Sequence, residues 1–273
     1  MNPLFSVIIN NYNYGKYLSE CIQSVLDQTY ANIELIIVDD GSDDISRKII
    51  KDFQNKKTNI KVHLKKNGGQ ASAFNAGYNL ATGDYISFLD SDDFWFTRRV
   101  EKIIQHFGED NSFQIIQHNS IVVDENSNCL NKIHQNIKFT GYTKNHFLKN
   151  CNIWIFAVTS GLAFKRKILS DVFPIDEKWK IAADVPLRYG AGLNVKLKTS
   201  QYILGAYRIH DCNNWMNNPR EKLKSEVIPY LNSSFKKKYG KSIKGISHKC
   251  KIKRKVNKLF HNFYSLINKI APE

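Results

Sequence analysis

The segment that most constrains this chain is Gly83-Asp-Tyr-Ile-Ser-Phe-Leu-Asp-Ser-Asp-Asp-Phe-Trp95. An apolar run over residues 85–89, with aromatic and β-branched side chains, stops abruptly in Asp90, Asp92 and Asp93. A buried strand that ends in clustered negative charge is destabilised by self-repulsion unless a cation neutralises it. Hard divalent ions take oxygen ligands and often share them with phosphates. The pattern points to a metal site at the carboxyl edge of a sheet, where open α/β folds bind ligands. An acidic surface turn is the plain alternative, because Asp and Ser are ordinary turn residues.

The preceding residues favour the metal site. Residues 4–10, Leu-Phe-Ser-Val-Ile-Ile-Asn, form a short apolar run closed by a polar turn over 11–15. A helical pattern follows, with Leu18, Ile22, Val25 and Leu26 on one face. A second buried strand over 34–39 ends in Asp39 and Asp40, and Ser42 or Asp43 is placed to cap a helix carrying Ile45, Ile49, Ile50 and Phe53. Residues 60–64 read as a third strand, Gly68-Gly69 leads into a helix over about 71–80, and Ala81-Thr-Gly83 turns into the acidic-ended strand. Strands and helices alternate with short connections, and near-continuous apolar strands imply a sheet covered on both faces. The expected fold class is α/β, with a doubly wound, mostly parallel nucleotide-binding sheet. Its strand ends gather Asn10, Asp39, Asp40, Asp90 and Asp92 along one edge.

Six motifs occur in one order: Ser6-Val-Ile-Ile-Asn-Asn-Tyr-Asn13, Ser24-Val-Leu-Asp-Gln-Thr-Tyr30, Glu34-Leu-Ile-Ile-Val-Asp-Asp-Gly-Ser42, Asn67-Gly-Gly-Gln70, Asn75-Ala-Gly77 and Leu89-Asp-Ser-Asp-Asp93. Together they resemble the family 2 glycosyltransferases, inverting enzymes of the GT-A fold that use nucleotide sugars. Past residue 99 the resemblance rests on two local motifs, and beyond about 219 none is evident. The resemblance implies that the turn Asn10, Asn11, Tyr12 holds base and ribose, with Asp40, or alternatively Asp39, accepting the uracil N3–H. It implies that Asn67, Gln70 and Asn75 line the ribose and phosphate side. Asp90, Ser91, Asp92 and Asp93 correspond to the metal motif, with Asp92 as the inner-sphere ligand and Asp90 on ribose or a metal-bound water. Phe74 stands where many relatives carry Arg, which leaves open the cation that helps hold the diphosphate; Lys65 and Lys66 are candidates.

Such chemistry requires these residue types. A nucleoside diphosphate leaves with growing negative charge, which a divalent ion neutralises as it develops. The incoming hydroxyl has a high pKa and needs a carboxylate to take its proton, an effect of roughly 10²–10⁴-fold. In an in-line displacement that base lies across the anomeric carbon from the metal, so it belongs to the second half of the chain. Asp184, in Ala182-Ala-Asp-Val-Pro-Leu-Arg188, matches the family's base near a helix start, although an Asp before a Pro-started helix is also a natural N-cap. Asp171, Asp176 and Glu177 are rivals. Gly205-Ala-Tyr-Arg-Ile-His210 resembles the family's closing Tyr-Arg-x-His motif, which implies metal or diphosphate contact by His210 and diphosphate contact by Arg208. Imidazole ligation favours Mn²⁺ over Mg²⁺. Residues 152–161, followed by Leu162-Ala-Phe-Lys-Arg166, read as a strand with a small-residue interruption, and Trp154 or Trp179 is available to stack on a sugar or to fill the core.

Charge and cysteine usage narrow the setting. The 273 residues carry a net +15, of which residues 219–273, with 15 Lys/Arg against 3 Asp/Glu, supply +12. The expected organisation is a catalytic domain over 1–218, with a nucleotide-sugar half (1–110) and an acceptor half (111–218), then a basic, helical extension over 219–273. Lys249-Cys-Lys-Ile-Lys-Arg-Lys255 is the densest basic patch, and Ile252, Val256, Leu259, Phe260, Phe263, Ile267 and Ile270 recur at helical spacing. This tail is expected either to dock on an anionic inner membrane face, where a polyprenyl-linked saccharide is presented, or to pack on the body. No apolar stretch approaches the ~20 residues that span a bilayer, and the start lacks a basic n-region. The five cysteines (Cys21, Cys129, Cys151, Cys212, Cys250) lack Cys-x-x-Cys spacing and fit a reduced, cytoplasmic chain. Two other function classes compete. Nucleic-acid binding suits the overall charge but not its confinement to one tail. A sugar nucleotidyltransferase also uses metal and such a sheet, yet no glycine- and basic-rich loop follows the first strand.

Overall fold

The computed structural model describes residues 2–57, 60–150, 155–211, 213 and 228–240. Strand β1 (Phe5–Asn11), helix α1 (Gly15–Leu26), β2 (Ile33–Asp39), α2 (Ser46–Lys56), β3 (Ile60–Leu64), α3 (Gln70–Leu80) and β4 (Tyr85–Asp90) alternate as the apolar runs predict. β2, β1 and β4 are parallel neighbours, with Asn10 in register with Val38 and Asp90, so polar residues gather at the carboxyl ends of adjacent strands. Side chains alternate across the sheet as a strand requires. Phe5, Val7 and Ile9 pack with Leu18, Ile22, Ile103 and Phe107 on one face, whereas Ile8, Ile36 and Phe88 pack with Phe74 and Leu187 on the other.

The second half extends the same sheet. It contributes β5 (Phe94–Trp95), α4 (Arg99–Glu109), β6 (Ile115–Val123), β7 (Cys129–His134), β8 (Gly141–Tyr142), α5 (Thr143–Asn150), β9 (Leu162–Lys165), α6 (Arg166–Leu169), α7 (Asp184–Gly192), the long β10 (Lys196–Arg208) and α8 (Ile228–Tyr239). The strand order is β3-β2-β1-β4-β9-β6-β10-β5, with β9 antiparallel to both β4 and β6 and β10 parallel to β6. This is a mixed α/β sheet, parallel through its first half, as the resemblance implies.

A buried carboxylate organises the amino edge of the sheet. Glu34 accepts hydrogen bonds from Ser6 Oγ (2.6 Å), Lys61 Nζ (2.6 Å), Thr82 N–H (2.6 Å) and Gly83 N–H (3.0 Å). It therefore joins β1, β2 and β3 to the turn that launches β4. Burial acts to raise its pKa, but the donors from Lys61, Ser6 and Thr82 outweigh that and bring it down to about 2.

Two local expectations differ from the structure. Neither Ser42 nor Asp43 caps α2: Asp44 Oδ1 accepts the Ser46 N–H (2.9 Å), while Ser42 Oγ is bonded by Asn11 and by the Asn13 N–H. Residues 155–158 are not a strand, because Thr159–Gly161 coil into a 3₁₀ turn before β9 begins. Trp179 belongs to the core, 6% exposed and edge-on to Tyr230 at 5.5 Å; Trp154 lies outside the described residues. Within the basic extension the described residues 228–240 carry helix α8, whose Leu231 and Phe235 are buried, Phe235 against Phe147 at 5.3 Å. The patch at 249–255 and the amphipathic pattern beyond it lie outside the described residues.

Candidate active site

The acidic turn at the tip of β4 divides into an inward and an outward part. Asp93 N–H closes the turn on Asp90 O (3.0 Å). The Asp93 carboxylate points inward, accepting Ser160 Oγ–H (2.6 Å) on one oxygen and the Arg208 N–H (3.0 Å) on the other. Burial, with Asp92 and Asp90 nearby, pushes its pKa well up. Contrary to the metal-ligand expectation, Asp93 thus ties the turn to β10 and to the 3₁₀ turn. Ser91 is buried inside the turn.

Asp92 reaches the other way. Its Oδ2 stands 3.0 Å from His210 Nε2 and 3.3 Å from Asn213 Nδ2. The His210 ring is braced by Tyr14 and Tyr17, with ring centroids 5.5 and 4.8 Å away. Asp90 lies between the halves of the site. Burial first, then the charges of Asp92 and Asp184, push its pKa up to about 7, while a hydrogen bond from Asn10 and the Arg188 charge act in the opposite sense. Asn10 Oδ1 is buried and has no protein partner among the described residues.

The proximity of Asp184 to Asp90 is what joins the chain's distant segments. Asp184 opens α7, and its carboxylate pairs with Arg188, one helical turn on. The N-cap position belongs to Ala183, with no side-chain cap, so the simple capping role for Asp184 is not what the helix shows. Of the rival carboxylates, Asp176 is exposed and paired with Lys178 at 2.6 Å. Arg188 also supplies positive charge near Asp90, at a site where Phe74 cannot: Phe74 is fully buried, 4.7 Å from the Phe88 ring.

On the nucleotide side, both strand-end carboxylates are engaged. Asp39 accepts from Asn11 Nδ2 (3.0 Å), Ser42 N–H (3.1 Å) and Arg47 Nε (3.0 Å). Asp40 accepts from Lys65 Nζ (2.6 Å), Gly68 N–H (2.9 Å) and Gly69 N–H (2.7 Å), and so folds the 65–69 loop over the strand end. Gly41, at φ +88°, packs with its α-carbon against Asn67; an added Cβ would stand 2.6 Å from Asn67 N. Beside these carboxylates lies a cavity of about 460 Å³ lined by Gly41, Arg47, Leu64, Lys65, Lys66 and Asn67. Tyr12 is 47% exposed at the end of β1.

Three expected ligand contacts are directed into the protein instead. Asn75 donates to Ile175 O (2.9 Å) and accepts from Ile175 N–H (2.8 Å), so both ends of its amide hold the backbone. Gln70 Oε1 accepts the Ala183 N–H at 2.8 Å. Arg208 is 1% exposed, and its guanidinium donates to Asp92 O (2.7 Å), Ser127 Oγ (2.9 Å) and Glu20 Oε2 (2.5 Å). It grips the back of the acidic turn, not a diphosphate. Ser160, Arg188 and Asn213 are site residues that the sequence reading did not single out. Only Arg188 had a legible signal, its i,i+4 spacing from Asp184 on a helix.

Among the described residues, no three His, Cys, Asp or Glu side chains form a complete ligand set. The groups present still suit a divalent ion that completes its shell with phosphate and water. Asp92 Oδ2 and His210 Nε2 are 3.0 Å apart, close to the ~3 Å edge of an octahedron with ~2.0–2.1 Å metal–ligand bonds.

Comparison with known proteins identifies the family. The family model described as glycosyl transferase family 2 matches residues 6–173. An uncharacterized glycosyltransferase of Nostoc sp. is 42% identical over 215 residues, covering 78% of this chain and 66% of the relative. Glycosyltransferase GlyG of Streptococcus pneumoniae is 42% identical over 117 residues, covering 42% of this chain and 39% of that protein. The chain thus spans about two thirds or less of these relatives. Among solved structures, S. aureus TarS 1-349 in complex with UDP-GlcNAc superposes with a TM-score of 0.69 at 21% identity, covering 85% of this chain and 66% of TarS 1-349. The mannosyltransferase PcManGT from Pyrobaculum calidifontis, in complex with GDP-Man and Mn²⁺, gives 0.59 at 15% identity, covering 87% of this chain and 64% of that one. Sequence motifs, fold and family match converge: this chain belongs to glycosyl transferase family 2.

Proposed function

We propose that the chain is a metal-dependent, inverting glycosyltransferase. It moves a sugar from a nucleotide sugar, a UDP-sugar in the first instance, to a hydroxyl of a glycan or polyprenyl-linked saccharide in surface polysaccharide synthesis. The observation that carries this reading is the convergence of Asp92 and His210, 3.0 Å apart, at the carboxyl end of β4. Asp92 and His210 are the residues that would hold Mn²⁺ or Mg²⁺, with Asp93 and Arg208 fixing the turn from behind. When bound, the ion neutralises the charge that develops on the departing β-phosphate.

The remaining roles fall to the chain's own groups. Asn10 and the exposed Tyr12 face base and ribose, Asn10 also orients the Asp90 carboxyl, and Asn11, buried with its amide on Asp39 and Ser42, shapes the turn instead of facing the ligand. Lys65 and Arg47, which pair with Asp40 and Asp39, bring positive charge to the wall of the nucleotide cavity. Asp184 takes the acceptor proton, held in place by its ion pair with Arg188. A base across the anomeric carbon from the leaving group gives one in-line displacement and inversion. The complexes of TarS with UDP and UDP-GlcNAc support a uridine donor. The GDP-Man and Mn²⁺ complex of PcManGT supports manganese and keeps a guanosine donor in the test set. Residues 1–218, with helix α8 packed on them through Leu231 and Phe235, would form the catalytic unit, and the basic remainder of 219–273 would approach an anionic membrane.

Product analysis tests the reaction class. Transfer releases a nucleoside diphosphate and leaves a product of opposite anomeric configuration. Release of pyrophosphate would instead identify a nucleotidyltransferase, and salt-sensitive nucleic-acid binding without turnover would end the enzymatic reading.

A further inference from the structure

The amino end of α3 is stitched to the segment that leads into α7. Gln70 N–H donates to Lys180 O (2.9 Å), Ala71 N–H donates to Trp179 O (3.2 Å), and Lys180 Nζ donates to Gly68 O (2.6 Å). Carbonyls of the 179–180 segment thus satisfy two N–H groups that a helix start would otherwise offer to an anion. The approach is close: a Cβ on Gly69 would stand 2.7 Å from Lys180 Cα. Farther along α3, Asn75 holds both backbone groups of Ile175.

The last contact in the series lies next to the candidate base. Ala182 adopts φ +62°, a left-handed conformation uncommon for a residue with a side chain. The next residue, Ala183, is fully buried, and its N–H is accepted by Gln70 Oε1 at 2.8 Å. Asp184 follows directly. With Ala183 preceding the helical ladder of α7, the side-chain carbonyl of Gln70 satisfies the buried donor at the root of that helix.

We propose that Gln70 is a positioning residue for Asp184, fastening the base-bearing helix to the donor-side helix so that the two carboxylate groups of the site keep their separation. The proposal rests on the reading of Asp184 as the base. It predicts that Gln70 acts on turnover and not on nucleotide affinity, the opposite of what a ligand contact would do.

The test uses the full chain, with Mn²⁺ and UDP as the binding probe and UDP release from UDP-GlcNAc, with water as acceptor, as the turnover assay. In Gln70→Leu, the UDP affinity stays within about twofold while kcat falls roughly 10–100-fold, the scale of a small misplacement of a reacting group. Gln70→Glu, which still accepts from the Ala183 N–H, recovers kcat to within about threefold at saturating donor, and any effect of its added charge falls in KM. In an Asp184→Asn background, Gln70→Leu costs nothing further. Amide exchange at Ala183 speeds up in Gln70→Leu. A loss of UDP affinity equal to the loss of turnover would make Gln70 a ligand contact and overturn the proposal, as would a fully additive loss in the double variant. If Asp184→Asn alone turns over normally, the base assignment fails, and unchanged exchange at Ala183 in Gln70→Leu would separately sink the clamp.

Discussion

Replacing Glu34 by glutamine should destabilise the protein at neutral pH and abolish one component of its acid sensitivity. The Glu34 carboxyl is depressed from 4.5 to about 2 in the folded chain, which by linkage corresponds to about 3 kcal/mol favouring the folded state at pH 7. A group whose folded pKa is depressed stabilises fully above its unfolded value, and that contribution is lost as pH falls from about 4.5 to about 2. Glutamine keeps an acceptor for Ser6 Oγ and for the Thr82 and Gly83 N–H groups but turns an amide N–H₂ toward the Lys61 ammonium. The expected loss at pH 7 is therefore about 2–4 kcal/mol, nearly a single buried charge-assisted contact broken at one end. Urea unfolding at pH 7, 5 and 3 reads this directly. The gap between wild type and Glu34→Gln should be widest at pH 7, similar at pH 5, and should narrow by pH 3. A gap that is the same at all three pH values, or below about 0.5 kcal/mol at pH 7, would refute the reasoning and with it the view that Glu34 anchors the approach to the acidic strand.

Two further predictions address the reaction and its setting. Asp184→Asn should retain Mn²⁺-dependent UDP binding and lose kcat by roughly 10²–10⁴-fold, and turnover that survives the change would place the base elsewhere. Removing residues 241–273 should abolish flotation with anionic liposomes while leaving UDP binding intact; equal flotation of both forms would end the membrane proposal.

The first half of the fold was legible because its strands are almost purely apolar and stop at polar residues. Residues 5–9, 35–38 and 86–89 are buried with one or no polar side chain each, and short connections left little choice of topology. β6 was not legible, because its sequence Ile-Ile-Gln-His-Asn-Ser-Ile-Val-Val breaks the apolar signature. Those polar residues take partners far along the chain: Gln117 bonds Ile155 O and Ala157 N–H, and His118, which also meets the adjacent Asn119 O, reaches the buried Arg99 at 3.0 Å. The site shows the same division. Residue types at the strand tips pointed to Asp90 and Asp92 as candidates, whereas side-chain direction decided that Asp93, Asn75 and Arg208 turn inward. Direction depends on tertiary partners such as Ser160, Ile175 and Glu20, which no local spacing encodes.

Calorimetric titration of UDP with and without Mn²⁺, on wild type and Asp92→Ala, bears most directly on the central claim that the acidic tip of β4 clamps a cation carrying the diphosphate. Wild type should bind UDP at least about tenfold more tightly with the metal, a difference of about 1.4 kcal/mol, and Asp92→Ala should lose that enhancement while remaining folded. Identical UDP affinity in both proteins, or no response of wild type to the metal, would contradict the account.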